Sequence, residues 1–297
     1  MRIRVGISGW TYPPWRGVFY PPGLRQADEL AFASRAFPSI ELNGSFYSLM
    51  RPQSYRAWRA AVPEDFVFAV KGGRFITHMK RLKNAETALA NFFASGLLCL
   101  GPKLGPILWQ LPPTLRFEAD VLRSFFDLLP KTATAVEKLA RKHDARLAGR
   151  SQLEAEGEIG PVRHALEVRH ESFRDPRYLD ILREYGVASC VADSAGLYPV
   201  IDAATSDIAY GRLHGASELY VSGYSSAELR AWAERVRGWQ RTRDVFVYFD
   251  NDVKVRAPFD ALNLTRILEG KRPRPLPKSQ SSVTEQARTI WPAWGQR

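Results

Sequence analysis

Cysteine is nearly absent from this chain. Its two copies, Cys99 and Cys190, lie far apart, each in apolar surroundings. That excludes a disulfide framework and a cysteine-held metal site, and it makes both of them reduced core residues. No window is long and apolar enough to span a membrane. The start, MRIRVGISGW, reads as a strand and not as a charged region followed by a long apolar one. The expected setting is therefore cytoplasmic, with no membrane partner. There is no GxGxxG turn, no HxH or HExxH pair and no internal repeat, which removes the usual signatures of dinucleotide binding, of a zinc hydrolase and of a solenoid.

Charge is plentiful but unevenly placed. The net charge is +11 over 297 residues; segment 131–150 contributes +4 and segment 270–297 contributes +5. The remainder is close to neutral, so the basicity reads as a surface property and not as the field of a central pocket.

Eight short apolar or β-branched runs recur along the chain: 3–8, 39–43, 66–71, 106–111, 165–170, 187–193, 207–214 and 245–251. Helical patterns follow most of them, at 26–36, 52–60, 85–95, 118–129, 175–184, 226–240 and 257–268. The connection 194–206 carries no helix signal. Eight alternations over this length predict an α/β fold, a single-domain (β/α)8 TIM barrel over residues 1–269; an open doubly wound sheet is the competitor. Residues 131–160 read as an inserted charged helix and loop, and 270–297 as a Pro-rich basic tail, disordered or draped over the surface.

Each predicted strand is apolar until its end and then turns polar, which is where barrel enzymes carry their chemistry. Alternation in ALEVRH places Glu167 and Arg169 on one face and Leu166, Val168 and His170 on the other. If Leu and Val face the helices, Glu167 and Arg169 face the lumen. The same parity turns Glu41 and Asn43 inward. The other strand ends supply Lys71, Gln110, Asp193, Arg212, His214, Asp250 and Asn251, and the loop after strand three supplies His78. Aromatic residues in the loops, Trp10, Tyr12 and Tyr47 among them, can stack on a sugar or a base. His143 and His164 read as surface residues.

The stretches GISGWTYPPWRGVFYP, IELNGSFY, FVFAVKGGRFITHMKRL, KLGPILWQLPP, LEVRHESF, YGRLHG and VYFDND resemble the YecE-like family, a domain family of unknown function. They run from Gly6 to about Ala261. The resemblance implies a TIM barrel with a polar cluster at the strand C-termini, and it brings no established reaction.

The residues themselves suggest an enzyme, of hydrolase or lyase type, acting on a small anionic, sugar-containing or phosphorylated ligand. Glu167, Glu41, His214 and Asp250 are the candidates for acid–base catalysis. Arg169, Arg212 and Lys71 are candidate clamps for phosphate or carboxylate oxygens. His78, Asn43, Trp10, Tyr12, Tyr47, Gln110, Asp193 and Asn251 complete the binding set. The plainer reading is that the charges neutralise one another in the lumen, that the first loop is packing, and that NDV caps a helix. One alternative is a metal-dependent phosphodiester hydrolase or isomerase; a divalent metal is the one cofactor considered, and three cations would share its pocket. Another is a non-catalytic module binding nucleic acid or another polyanion through 131–150 and the tail; a solvated charged face accounts for the same pattern. Oligomeric state is not encoded in any of these features.

Overall fold

The computed structural model describes residues 1–278 and 280–290; Ser279 and 291–297, which include part of the expected basic tail, lie outside the described residues. Eight parallel strands close in sequence order into a (β/α)8 TIM barrel. They are β1 (Ile3–Ser8), β2 (Ser39–Leu42), β3 (Val67–Lys71), β4 (Leu104–Gln110), β5 (His164–Glu167), β6 (Ala188–Asp193), β7 (Ile208–Leu213) and β8 (Asp244–Phe249). Closure is made by β1 against β8, with Ile3 opposite Val245 and Ile7 opposite Phe249.

The two-residue alternation of a strand sorts every side chain to the lumen or to the helices. Ala69, Leu108, Ala165, Ala188, Cys190, Ile208, Tyr210, Phe246 and Tyr248 form a separate apolar cluster in the lumen. Ile7, Ile40, Val70, Trp109, Leu166, Val191, Leu213 and Val247 belong to the larger core between strands and helices. Two residues further along the inward parity, the lumen becomes polar: Ser8, Glu41, Lys71, Gln110, Glu167, Arg212 and Asp250 follow the apolar floor. Both cysteines are buried and free.

The outer layer comprises α1 (Glu29–Ala36), a single turn α2 (Gly44–Tyr47), α3 (Pro52–Ala61), α4 (Glu86–Ala94), α5 (Ala119–Asp127), α6 (Ala133–Ala140), α7 (Pro176–Tyr185), α8 (Ser226–Gln240), α9 (Ala257–Leu268) and α10 (Gln280–Ile290). Local chemistry sets their ends. Asp175 caps α7 by accepting from Arg177 N, Pro176 occupies its first turn, and Gly186 closes it in the left-handed region at φ 63°. Ser225 and Glu228 form a reciprocal capping box on α8. As the sequence indicates, 194–206 forms no helix.

Some boundaries differ from the sequence pattern. β5 stops at Glu167, not at 170, because Leu111 N bonds Glu167 O and no further rung follows toward β4. His170 then caps the next turn by accepting from Ser172 N. The insertion holds α6, capped by Thr132. The tail crosses the surface: Asn263 exchanges two hydrogen bonds with the Arg274 backbone, and Arg266 donates to Arg272 O. It continues into α10, which the sequence reading lacks and which buries Val283 and Ala287. Among the described residues no helix is long and apolar enough to cross a membrane.

Candidate active site

Arg212 on β7 stands at the centre of the polar layer with no solvent exposure. Its Nε and Nη2 hold Glu41 side-on at 3.1 and 2.8 Å. Nη1 donates to Glu167 Oε2 at 2.7 Å, and Nη2 also donates to Asp250 Oδ2 at 2.8 Å and to Ser8 Oγ at 3.2 Å. One planar guanidinium thus bridges carboxylates from β2, from β5 and from just past β8. Glu41 accepts two more bonds, from Ser8 Oγ at 2.5 Å and Tyr210 Oη at 2.6 Å, so all its lone-pair positions are taken. Arg169 Nε donates to the other oxygen of Glu167 at 2.7 Å.

These contacts decide the charge states. Burial alone would raise the Glu167 carboxyl, but Arg169 and Arg212 hold it well below the usual carboxylate range. Asp250 is likewise opposed by burial yet drawn down to about 2 by Arg212, with His214 and Lys71 assisting. His214, fully buried, places Nε2 3.4 Å from Arg212 Nη1 and Nδ1 3.1 Å from Asp250 Oδ2, the latter out of line for a hydrogen bond. Arginine only donates, so Nε2 is assigned as the acceptor and Nδ1 carries the proton that faces Asp250.

Above this layer lies the mouth. Lys71 ends β3 and is 8% exposed. The lumen ion pairs, Arg212 with Glu41, Glu167 and Asp250, and Arg169 with Glu167, leave it out. Its Nζ rests 4.3 Å from the centre of the Phe46 ring. Burial, and then Arg212, push its pKa down to about 8 against the pull of Asp250, Glu41 and Glu167. Phe46 also meets His78 edge to face at 5.2 Å, and His78 is lowered by burial, Lys71, Arg169 and Arg74. His78 sits in a π-helical turn, Phe75–Met79. Arg169 reaches Tyr220 Oη at 3.2 Å and lies 4.9 Å from the Tyr198 ring centre. Asn43 donates to Ser8 Oγ at 2.9 Å, while its buried Oδ1 has no protein partner. Tyr12 donates to Ser8 O at 2.6 Å. Gln110 lies opposite Glu167 in register. Asp252, beyond β8, is raised to about 6 by burial and by Asp250.

The expected residues divide accordingly. Glu41, Glu167, Arg169, Arg212, His214 and Asp250 form one buried network, and Lys71, His78, Asn43, Tyr12 and Gln110 surround its open side. Arg212 is no substrate clamp in this arrangement, because its donors are spent on carboxylates. Asp193 and Asn251 are not in the mouth. Asp193 Oδ2 accepts from Tyr224 Oη and Trp232 Nε1. Asn251 donates to Asp260 and Ser222 O and anchors the start of α9. Each follows an inward residue, Ala192 or Asp250, so alternation turns it toward the helices. Trp10 packs edge to face on Trp58 of α3, and Tyr47 stands 68% exposed on the rim. His164 is not on the surface: it is buried between Trp109 Nε1 and Pro130 O, and burial lowers it to about 4.

Ser8, Tyr210 and Tyr198 were not in the expected set, whereas Tyr220 belongs to the loop aromatics and Asp252 to the polar end of strand eight that the sequence indicates. Ser8 and Tyr210 share inward parity with Gly6 and Arg212, a signal present in the sequence. Tyr198 lies in a connection without periodicity and leaves no such signal. Among the described residues no three His, Cys, Asp or Glu side chains are grouped to hold a metal ion; the carboxylates that could serve as ligands are turned onto Arg212.

Comparison with known proteins follows the same outline. The family model described as "Protein of unknown function DUF72" matches residues 4–284. UPF0759 protein YunF of Bacillus subtilis is 24% identical over 280 residues, 84% of this chain and 89% of that protein. UPF0759 protein YecE of Escherichia coli is 30% identical over 129 residues, 43% of this chain and 44% of that protein. A DUF72 family protein from Thermotoga maritima superposes with a TM-score of 0.71 at 27% identity, covering 91% of this chain and all of that one. One from Enterococcus faecalis shares the fold with a TM-score of 0.67 at 18% identity, over 90% and 95% of the two chains.

Proposed function

The chain belongs to the DUF72 family of proteins of unknown function, and from that premise we propose that its barrel mouth is the active site of an enzyme, of hydrolase or lyase type, for a small anionic substrate such as a phosphorylated sugar. The observation that carries this reading is Lys71, a buried lysine at a strand C-terminus left outside the lumen ion pairs. A buried ammonium without a counter-ion is costly, and a substrate anion removes that cost. Arg169, 8% exposed at its side chain, supplies further planar donors, and the unpartnered Oδ1 of Asn43 is the acceptor assigned to a substrate hydroxyl.

The acid–base roles follow from the charge states. Asp250, held near 2, stays ionised and provides a fixed negative charge backed by His214. Asp252, at about 6, exchanges protons efficiently near neutral pH. Glu41 and Glu167 hold the scaffold through Arg212. A polyanion site on the insertion is less favoured, because Arg141, Lys142 and Arg146 already pair with Glu154, Glu86 and Asp144.

Calorimetric titration with inorganic phosphate, sugar phosphates and the matching uncharged sugars tests this reading. Phosphorylated compounds are expected to bind the native protein, and Lys71→Met or Arg169→Met to weaken them about tenfold or more, the worth of one charge-assisted contact. Absence of binding by every phosphorylated compound, or equal affinity in both variants, overturns it.

A further inference from the structure

An ammonium locked in a salt bridge keeps its proton and has no lone pair to offer, but Lys71 has no such lock. Its main chain is fixed on both sides: Lys71 O accepts from Ser45 Oγ at 2.7 Å, and Gly72 N donates to Leu108 O at 2.8 Å. Gly72 permits this approach, since a Cβ there would fall 2.2 Å from the Trp109 ring. Among the described residues, the side chain is held only by the Phe46 face. Arg212 on β7 is the cation that bears on it, and His78 beyond β3 shares the Phe46 ring with it. The opposing carboxylates, Asp250 beyond β8, Glu41 on β2 and Glu167 on β5, are each bound to an arginine. Desolvation beside fixed cations is the environment that turns a lysine into a nucleophile.

We propose that Lys71 is a covalent catalyst that forms an imine with a carbonyl carbon of the substrate, which narrows the substrate class to anionic aldehydes and ketones, such as a 2-oxo acid or an open-chain sugar phosphate. The proposal rests on the anion-binding reading of the same mouth. The neutral amine adds to the carbonyl carbon; a C–N bond forms as the C=O π pair moves to oxygen, which takes a proton. The nitrogen then loses a proton, the hydroxyl leaves as water with a second one, and the C=N bond closes. Amine and carbonyl give imine and water, with no change of oxidation state. Asp252, raised to about 6 by burial and by Asp250, is the group assigned to carry these protons. The protonated imine withdraws electrons from the adjacent carbon, which serves cleavage of a C–C or C–H bond there.

Reductive trapping decides the matter. Native full-length protein is treated with pyruvate or glyceraldehyde 3-phosphate plus sodium borohydride, with acetaldehyde as the uncharged control, and then analysed by intact mass and peptide mapping. The expected result is one reduced adduct on the peptide carrying Lys71, at least tenfold over Lys80, Lys83 or Lys142. Its yield should rise with pH about a midpoint near 8 and vanish in Lys71→Arg. Labelling that follows surface exposure, or an unmodified Lys71 at high pH, overturns the proposal without reliance on any variant. Phosphate titration of the same samples separates the two readings. Binding without trapping removes the covalent step alone; neither binding nor trapping removes both.

Discussion

At the scale of single residues, the mouth and the layer beneath it follow opposite economies. Arg212 and its carboxylates are mutually satisfied, whereas Lys71 is left exposed to its own desolvation cost. A lysine in the unfolded chain titrates near ~10.4, and in the folded chain near 8. The folded state therefore holds fewer protons between those values, so stability rises with pH across the window and is reduced below it. Lys71→Met is expected to raise stability at pH 7 by about 1–3 kcal/mol and to flatten the rise toward pH ~10. Urea denaturation at both pH values measures this; a destabilised variant would show that Lys71 is paired after all. Such a gain marks a residue kept for activity at the expense of stability. Parity made much of this layer legible: alternation alone pointed Glu41, Asn43, Glu167 and Arg169 inward. The same rule, carried one residue further, turns Asp193 and Asn251 away. The pairing of Arg212 was legible as the plainer reading, charges neutralising one another in the lumen; its central place among three carboxylates was not, because its five donors are shared among strands far apart in sequence.

At the scale of elements, the strand and helix pattern was readable because each barrel strand repeats one layering, apolar floor and then polar end. The helices that were legible carry local signals, such as Pro176 and Gly186 around α7 and the Ser225–Glu228 box on α8. The single turn α2 is too short for periodicity, and α10 is held by docking of Val283 and Ala287, which no local signal announces. The capping box offers a test of this division. Ser225→Ala removes an acceptor from the first turn of α8 and is expected to cost about 1 kcal/mol, read as a lower denaturation midpoint. Phosphate affinity at the mouth should be unchanged, since Ser225 touches no group there. A shift in that affinity would mean that α8 transmits its end geometry to the Asp193 anchor and onward to β6.

At the scale of the whole molecule, the buried network couples folding to acid. Glu167 and Asp250 are depressed in the folded state, so each contributes stability above its unfolded pKa and loses it as pH falls through the folded one. For Asp250 that window runs from ~3.9 down to about 2. Stability measured by denaturant titration is expected to fall steeply below pH ~4 and to do so less in Asp250→Asn, whose titrating group is gone. An identical acid profile in that variant would assign the loss to other carboxylates.

The arginine at the centre has one more consequence, for the order in which the chain is assembled. Its partners lie on both sides of the β4–β5 divide: Ser8 and Glu41 in the first half of the barrel, Glu167 and Asp250 in the second. A half-barrel ending at β4 would keep Ser8 on Glu41 but lose the arginine that holds both its oxygens, and its complement would hold Arg212 short of one carboxylate. Halves cut between β4 and β5 are therefore electrostatically incomplete until they meet.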